Sequence, residues 1–119
     1  MKDNVLQSKS YAFAIRIIRL VQYLEHEKRE FVLSNQVKRS GTAIGASIRE
    51  AEFSESRLDF IHKMRISLKE ANETIYWLSL LFDTGYINKR MAASIMGDCQ
   101  ELLAMLVSTV KTAKRNMQQ

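Results

Sequence analysis

Apolar side chains recur every three or four positions along most of the chain, the spacing of helices that bury one face. Between about Ser8 and Lys28, the residues Phe13, Ile17, Leu20, Val21 and Leu24 share one stripe. Tyr11, Ile15 and Ile18 form a second apolar face, which leaves a narrow polar strip of Lys9, Ala12, Arg16, Arg19 and Tyr23. A helix apolar over more than half its circumference is covered on two sides. One cover is its own bundle, and the expected second is another subunit.

The pattern breaks over Glu27–Leu33, which reads as a loop, and resumes in a helix over about 34–51. Leu33, Val37, Gly41, Ile44, Ile48 and Ala51 make its core seam, and Gln36, Ser40, Ala43, Ser47 and Glu50 a small polar stripe beside it. An interior glycine costs about 1 kcal/mol against alanine. Gly41 and Gly45, one turn apart, therefore point to close helix packing rather than a ligand cradle. Ser56 and Asp59 make a capping box for a helix over about 57–84. Its core face reads Ile61, Met64, Leu68, Ala71, Ile75, Leu78 and Phe82. The back of its second half is apolar too, with Tyr76, Trp77, Leu80 and Leu81. An exposed patch of that size around a tryptophan is uncommon without a partner. Gly85 suits a helix end, and Asn88 caps a last helix over about 89–115, with Met91, Ile95, Cys99, Leu102, Leu106, Val110 and Ala113 on one face. Four helices joined by short connections predict an all-α, antiparallel, up-down-up-down bundle, one domain over residues 1–119, with fraying at the first few residues and the last. No strand alternation, internal repeat or low-complexity segment interrupts that reading.

Composition adds constraints. Prolines number 0 and glycines 4, which suits long helices, and 46% apolar with 26% charged residues is ordinary for a soluble globular domain. The lone Cys99 allows no internal disulfide and reads as a small core residue in a reducing, cytoplasmic compartment. The start, MKDNVLQSKS, lacks the apolar run of a signal peptide, and no stretch is apolar enough to span a membrane. His26 and His62 are the only histidines, and neither follows a glutamate by three positions, so no carboxylate-bridged or zinc site is expected, and no cofactor. The net charge of +5 permits nucleic-acid contact. Candidate contacts are Arg16, Arg19, Lys38, Arg49, Lys111, Lys114 and Arg115; the last three follow Glu101 with no acid among them, which also favours the negative end of a helix. No aromatic is interleaved with these cations, so phosphate contact would dominate. Arg39, Glu50 and Glu70 make a candidate polar network that fixes helix register or a subunit joint.

Three stretches resemble a known family: QVKRSGTAIGASIREA (Gln36–Ala51), SRLDF (Ser56–Phe60), and SLKEANETIYWLSLL followed by GYI (Ser67–Leu81, Gly85–Ile87). They are similar to the bacterial four helix bundle proteins, related to proteins encoded in intervening sequences of large-subunit ribosomal RNA genes. The family marks fall on Gln36, Arg39, Ser40, Ile44, Ile48, Glu50, Ala51, Ser56, Asp59, Phe60, Ser67, Leu68 and Glu70; Ser47 stands where the family has Asn. The resemblance implies a left-turning bundle that assembles into a ring, commonly a homopentamer. It also implies a distant relation to the basic accessory protein of diversity-generating retroelements, which binds nucleic acid and a reverse transcriptase. The expected function is a non-enzymatic oligomeric bundle, with Tyr11, Ile15, Ile18, Trp77, Leu80 and Leu81 at the joint and RNA, DNA or a nucleic-acid enzyme as partner. Two alternatives stand beside it. One is a purely protein-binding scaffold. The other is a weak RNase that uses Arg57 and His62, whose Arg-x4-His spacing resembles that of helical HEPN-type nucleases.

Overall fold

A computed structural model describes residues 5–118; the expected fraying at residues 1–4 and Gln119 lies outside them. Four helices make up the described residues, with no strand: α1 (Val5–Glu27), α2 (Val32–Ala51), α3 (Arg57–Asp83) and α4 (Lys89–Met117).

Each connection is fixed by local chemistry. After α1, Arg29 takes a left-handed conformation at φ 52°, which costs a non-glycine residue about 1 kcal/mol or more. Glu30, read as part of a loop, is buried and caps α2. Its carboxylate accepts from the backbone N–H of Val32, Leu33 and Ser34 at 3.1, 2.8 and 2.8 Å, and Ser34 Oγ donates back to the Glu30 carbonyl at 2.8 Å. That satisfies donors a helix start otherwise leaves open. Ser56 caps α3 by accepting from Asp59 N–H at 3.0 Å, as its position predicts. The return bond from Asp59 goes one residue further back, to the Glu55 N–H at 3.1 Å. The hydrogen bond from Lys63, at 2.9 Å, and then the Glu55 N–H hold the Asp59 carboxyl below its ordinary value. Gly85, at φ 87°, ends α3, with the Tyr86 N–H on the Leu81 carbonyl and the Gly85 N–H on the Phe82 carbonyl, a Schellman end. Asn88 Oδ1 accepts from Met91 N–H at 2.8 Å and opens α4.

Around the core, α2 packs on α1 and α3, and α4 packs on α3 and α1. The body measures 51 × 22 × 21 Å. The glycines of α2 serve α1. A Cβ built on Gly41 would stand 2.8 Å from Ile17 Cγ1, and one on Gly45 3.2 Å from Ser10 Oγ. Toward α3 the line of closest approach runs through small polar residues. Ser67 Oγ donates to the Ile44 carbonyl at 2.8 Å, and Thr74 Oγ1 stands 2.8 Å from both Ser40 Oγ and the Glu70 carbonyl. This corrects the core face read for α3. The buried positions are Ile61, Met64, Ser67, Ala71, Thr74, Leu78 and Leu81, while Leu68 and Ile75 flank the line half-buried and Phe82 is exposed. Small hydroxyls let the two helices close up, and their own hydrogen bonds remove the cost of burying them.

Cys99 sits in the α3–α4 core, its Sγ 3.4 Å from the Ala71 carbonyl. Burial first, and Asp98 second, push its thiol from an ordinary 9.0 up to about 12. The reduced thiol's contribution to stability is therefore complete below pH 9 and is lost as pH rises toward 12. A thiol-specific reagent should leave the native protein unmodified at pH 8 and label it fully in denaturant. Rapid native labelling would contradict this placement.

Candidate subunit joint and nucleic-acid surface

Among the described residues, α1 and α3 each carry an exposed apolar face. On α1, Tyr11, Ile15 and Ile18 are 66%, 40% and 37% exposed. With Ala14, Arg19 and Gln22 they line a shallow groove of about 380 Å³. On α3, Tyr76 is exposed, and Trp77 and Leu80 are half-buried. The Tyr76 and Trp77 rings meet edge to face, centroids 5.0 Å apart at 72°. Among the described residues α1 and α3 are not backbone neighbours; α2 lies between them, with Tyr11 beside its Thr42 and Arg49 and Trp77 tied through Glu73 to its Arg39. Leu81, read from sequence as part of the outer face, is fully buried in the monomer. The small-residue line between α2 and α3 turns α3 enough to exchange Leu81 for Phe82.

The polar network forms around a residue the sequence reading passed over. Arg39 reaches Glu70 at 3.4 Å and Glu73 through its other terminal nitrogen. Glu73 Oε2 also accepts from Trp77 Nε1–H at 2.9 Å. The carboxylate thus ties α2 to the tryptophan, and its position four residues before Trp77 was the available signal. Glu50 is exposed and outside this network; the charge it acts on is Lys63. The side chain of Arg39 is 51% exposed, so the network orients groups at a surface rather than filling a buried cluster.

The candidate cations divide. Arg16 bridges to α4, donating to Asp98 Oδ2 at 2.6 Å and to Ser94 Oγ at 2.9 Å. Arg19, Lys38, Arg49, Lys111, Lys114 and Arg115 are exposed and carry no ion pair among the described residues. Arg49 borders a groove of about 490 Å³ between α1 and α2, lined also by Tyr11, Thr42 and Gly45. Lys111 lies thirteen residues, or about 20 Å of helix, beyond Asp98, so Arg16 and the end of α4 do not form one local site. Arg57 and His62 are both exposed and are set about 140° apart around α3, so they do not converge on one face. Among the described residues, no group of three or more His, Cys, Asp or Glu stands ready for a metal ion, and no helix is long and apolar enough to cross a membrane.

Residues 2–108 match the model of the 23S rRNA-intervening sequence protein family. The chain belongs to that family. A solved structure is similar to this chain over nearly its whole length, with 52% identity, a TM-score of 0.89, and cover of 90% of this chain and 99% of that one. It is the crystal structure of a protein of unknown function from the S23 ribosomal protein family of Bacteroides thetaiotaomicron. Comparison with curated proteins gave no match. In this chain most family marks have a packing role: Ser40, Ile44, Ile48, Ala51 and Ser67 are buried, and Ser56 and Asp59 cap α3.

Proposed function

We propose that this family member is a non-enzymatic, homo-oligomeric bundle that presents basic surface to nucleic acid. The chain acts as one domain, and its four helices run up and down in turn. The antiparallel order is supported by pairs whose numbers run in opposite directions: Ile17 by Gly41 and Ser10 by Gly45, then Ile44 by Ser67 and Ser40 by Thr74. The observation that carries the assembly is the pair of exposed apolar faces on two helices that are not backbone neighbours. Two unlike faces that meet between copies make a head-to-tail joint, and such joints close into rings when the turn per copy allows. Tyr11, Ile15 and Ile18 of one copy would meet Tyr76, Trp77 and Leu80 of the next. Five copies follow from the family resemblance alone.

The nucleic-acid reading rests on six exposed, unpaired cations in a chain of net charge +5. Phosphate neutralisation releases counterions, so affinity for RNA or DNA should fall steeply with salt. Replacing Lys111, Lys114 and Arg115 together with Ala should lower both affinity and the slope of that salt dependence. Titration of a labelled oligonucleotide across a salt series measures both. An unchanged slope removes the end of α4 from the contact list, and no binding at any salt favours the protein-binding scaffold.

A further inference from the structure

We propose that the turn between α1 and α2 is a stacking platform for an unpaired nucleobase, with Phe31 and Arg29 holding the base and Lys28 the adjacent phosphate; this rests on the nucleic-acid reading above. The turn lies outside the basic positions that the sequence pattern marks, and it supplies the aromatic that those positions lack. Arg29 is the one non-glycine residue at positive φ among those described. Glycine would take that conformation without strain, yet the position carries a long cationic side chain. Backbone strain of this kind concentrates at functional sites.

The strained residue is aimed at a target. The Arg29 guanidinium carbon lies 5.3 Å from the centroid of the Phe31 ring, within cation–π range. Phe31 nevertheless stays 51% exposed. The guanidinium lies over the ring and takes one of its faces, so a base stacks on the part of the ring left exposed or on the outer plane of the guanidinium. The platform is also rigid, because the Glu30 carboxylate holds the Val32, Leu33 and Ser34 N–H groups. Those donors are consumed, so the start of α2 has none of them to give a phosphate. Phosphate contact falls to Lys28 and Arg29, which are exposed and make no ion pair among the described residues.

Local charge favours a nucleotide over an anionic bilayer. The acids Glu25, Glu27 and Glu30 outnumber the cations Lys28 and Arg29, so the tip has no net positive charge to hold a flat anionic surface. One base and one phosphate need only the ring and the neighbouring cations. A duplex hides its bases, which makes single strands the preferred form.

Fluorescence anisotropy with a labelled oligo-uridine of about 12 nucleotides, beside an RNA duplex of the same length, tests this. Phe31→Ala should weaken single-strand binding about 5- to 150-fold, leave duplex binding alone and keep the salt slope. Arg29→Gly should weaken single-strand binding and lower the slope by about 1, while its melting temperature rises because the strain is gone. A loss of binding in a more stable protein cannot come from unfolding. Wild-type affinity in both variants, or equal losses on single strand and duplex, overturns the platform and leaves the wider nucleic-acid reading standing. A wild-type protein that binds neither probe overturns both.

Discussion

Replacing Gly41 with leucine is expected to unfold the bundle, and replacing it with alanine to destabilise it despite alanine's higher helix propensity. Alanine at an interior helix position gains about 1 kcal/mol over glycine. At position 41, however, the new Cβ would meet Ile17 Cγ1, Cγ2 and Cδ1 at 2.8, 3.0 and 3.1 Å. Ile17 is fully buried, so it has nowhere to retreat. Overpacking of this kind costs about 1–3 kcal/mol, which leaves alanine destabilising by up to about 2 kcal/mol. Leucine adds three further carbons to the same contact, against a total stability of about 5–15 kcal/mol for a typical domain. Gly45 makes the control. Its added Cβ would stand farther off, nearest Ser10 Oγ at 3.2 Å and the Ser10 carbonyl at 3.4 Å, so Gly45→Ala should cost less than Gly41→Ala. Truncating Ile17 to alanine beside Gly41→Ala should recover part of the loss as a coupling of about 0.5–3 kcal/mol. Thermal unfolding followed by circular dichroism measures these four variants and Ile17→Ala alone, which the coupling requires. Equal effects at positions 41 and 45 would contradict the α1–α2 packing described above.

The helices were legible because hydrophobic spacing reports burial directly. The stripe of Phe13, Ile17, Leu20, Val21 and Leu24 is buried as read, and Ser56, Gly85 and Asn88 stand where caps and breaks were expected. The face of α3 was misread because hydrophobicity does not mark a close contact between helices. Ser67 and Thr74 are buried there through hydrogen bonds to α2, which a polar residue's own chemistry does not announce. The same rotation moved Leu81 into the core. Glu30 escaped notice because a glutamate in a charged stretch looks solvated until its carboxylate is seen on three N–H groups. Glu50 lost its place to Glu73 because identity and rough helix face were known, but not the reach of Arg39 across the α2–α3 gap. The second apolar face of α1 was legible because its spacing sets it outside the core stripe, and among the described residues Tyr11, Ile15 and Ile18 remain exposed.

Single substitutions on either apolar face are expected to stop assembly, and mixing the two kinds should restore one joint only. Ile15→Asp places a charge in the α1 face, where leaving water without a partner is costly. Trp77→Ala removes a large aromatic from the α3 face, and burying such a side chain is worth about 1.5–3 kcal/mol. Each 1.4 kcal/mol is tenfold in affinity, so every joint should weaken by about 10- to 100-fold. In a head-to-tail joint, the Ile15→Asp chain keeps a sound α3 face and the Trp77→Ala chain a sound α1 face. Their mixture should form pairs of two chains and nothing larger. Faces that each pair with themselves would instead let each variant dimerise through its intact face before mixing, with no new species after it. Size-exclusion chromatography of each variant and of the mixture distinguishes these cases.

The central claim is that the two uncovered faces are joined between copies, and the mass of the wild-type protein in solution tests it most directly. Light scattering at micromolar concentration should give a whole multiple of the 13.8 kDa chain, five times that mass if the ring follows the family resemblance. A mass of 13.8 kDa would contradict the claim and leave Tyr11, Ile15, Ile18 and Trp77 as surface that a different partner covers.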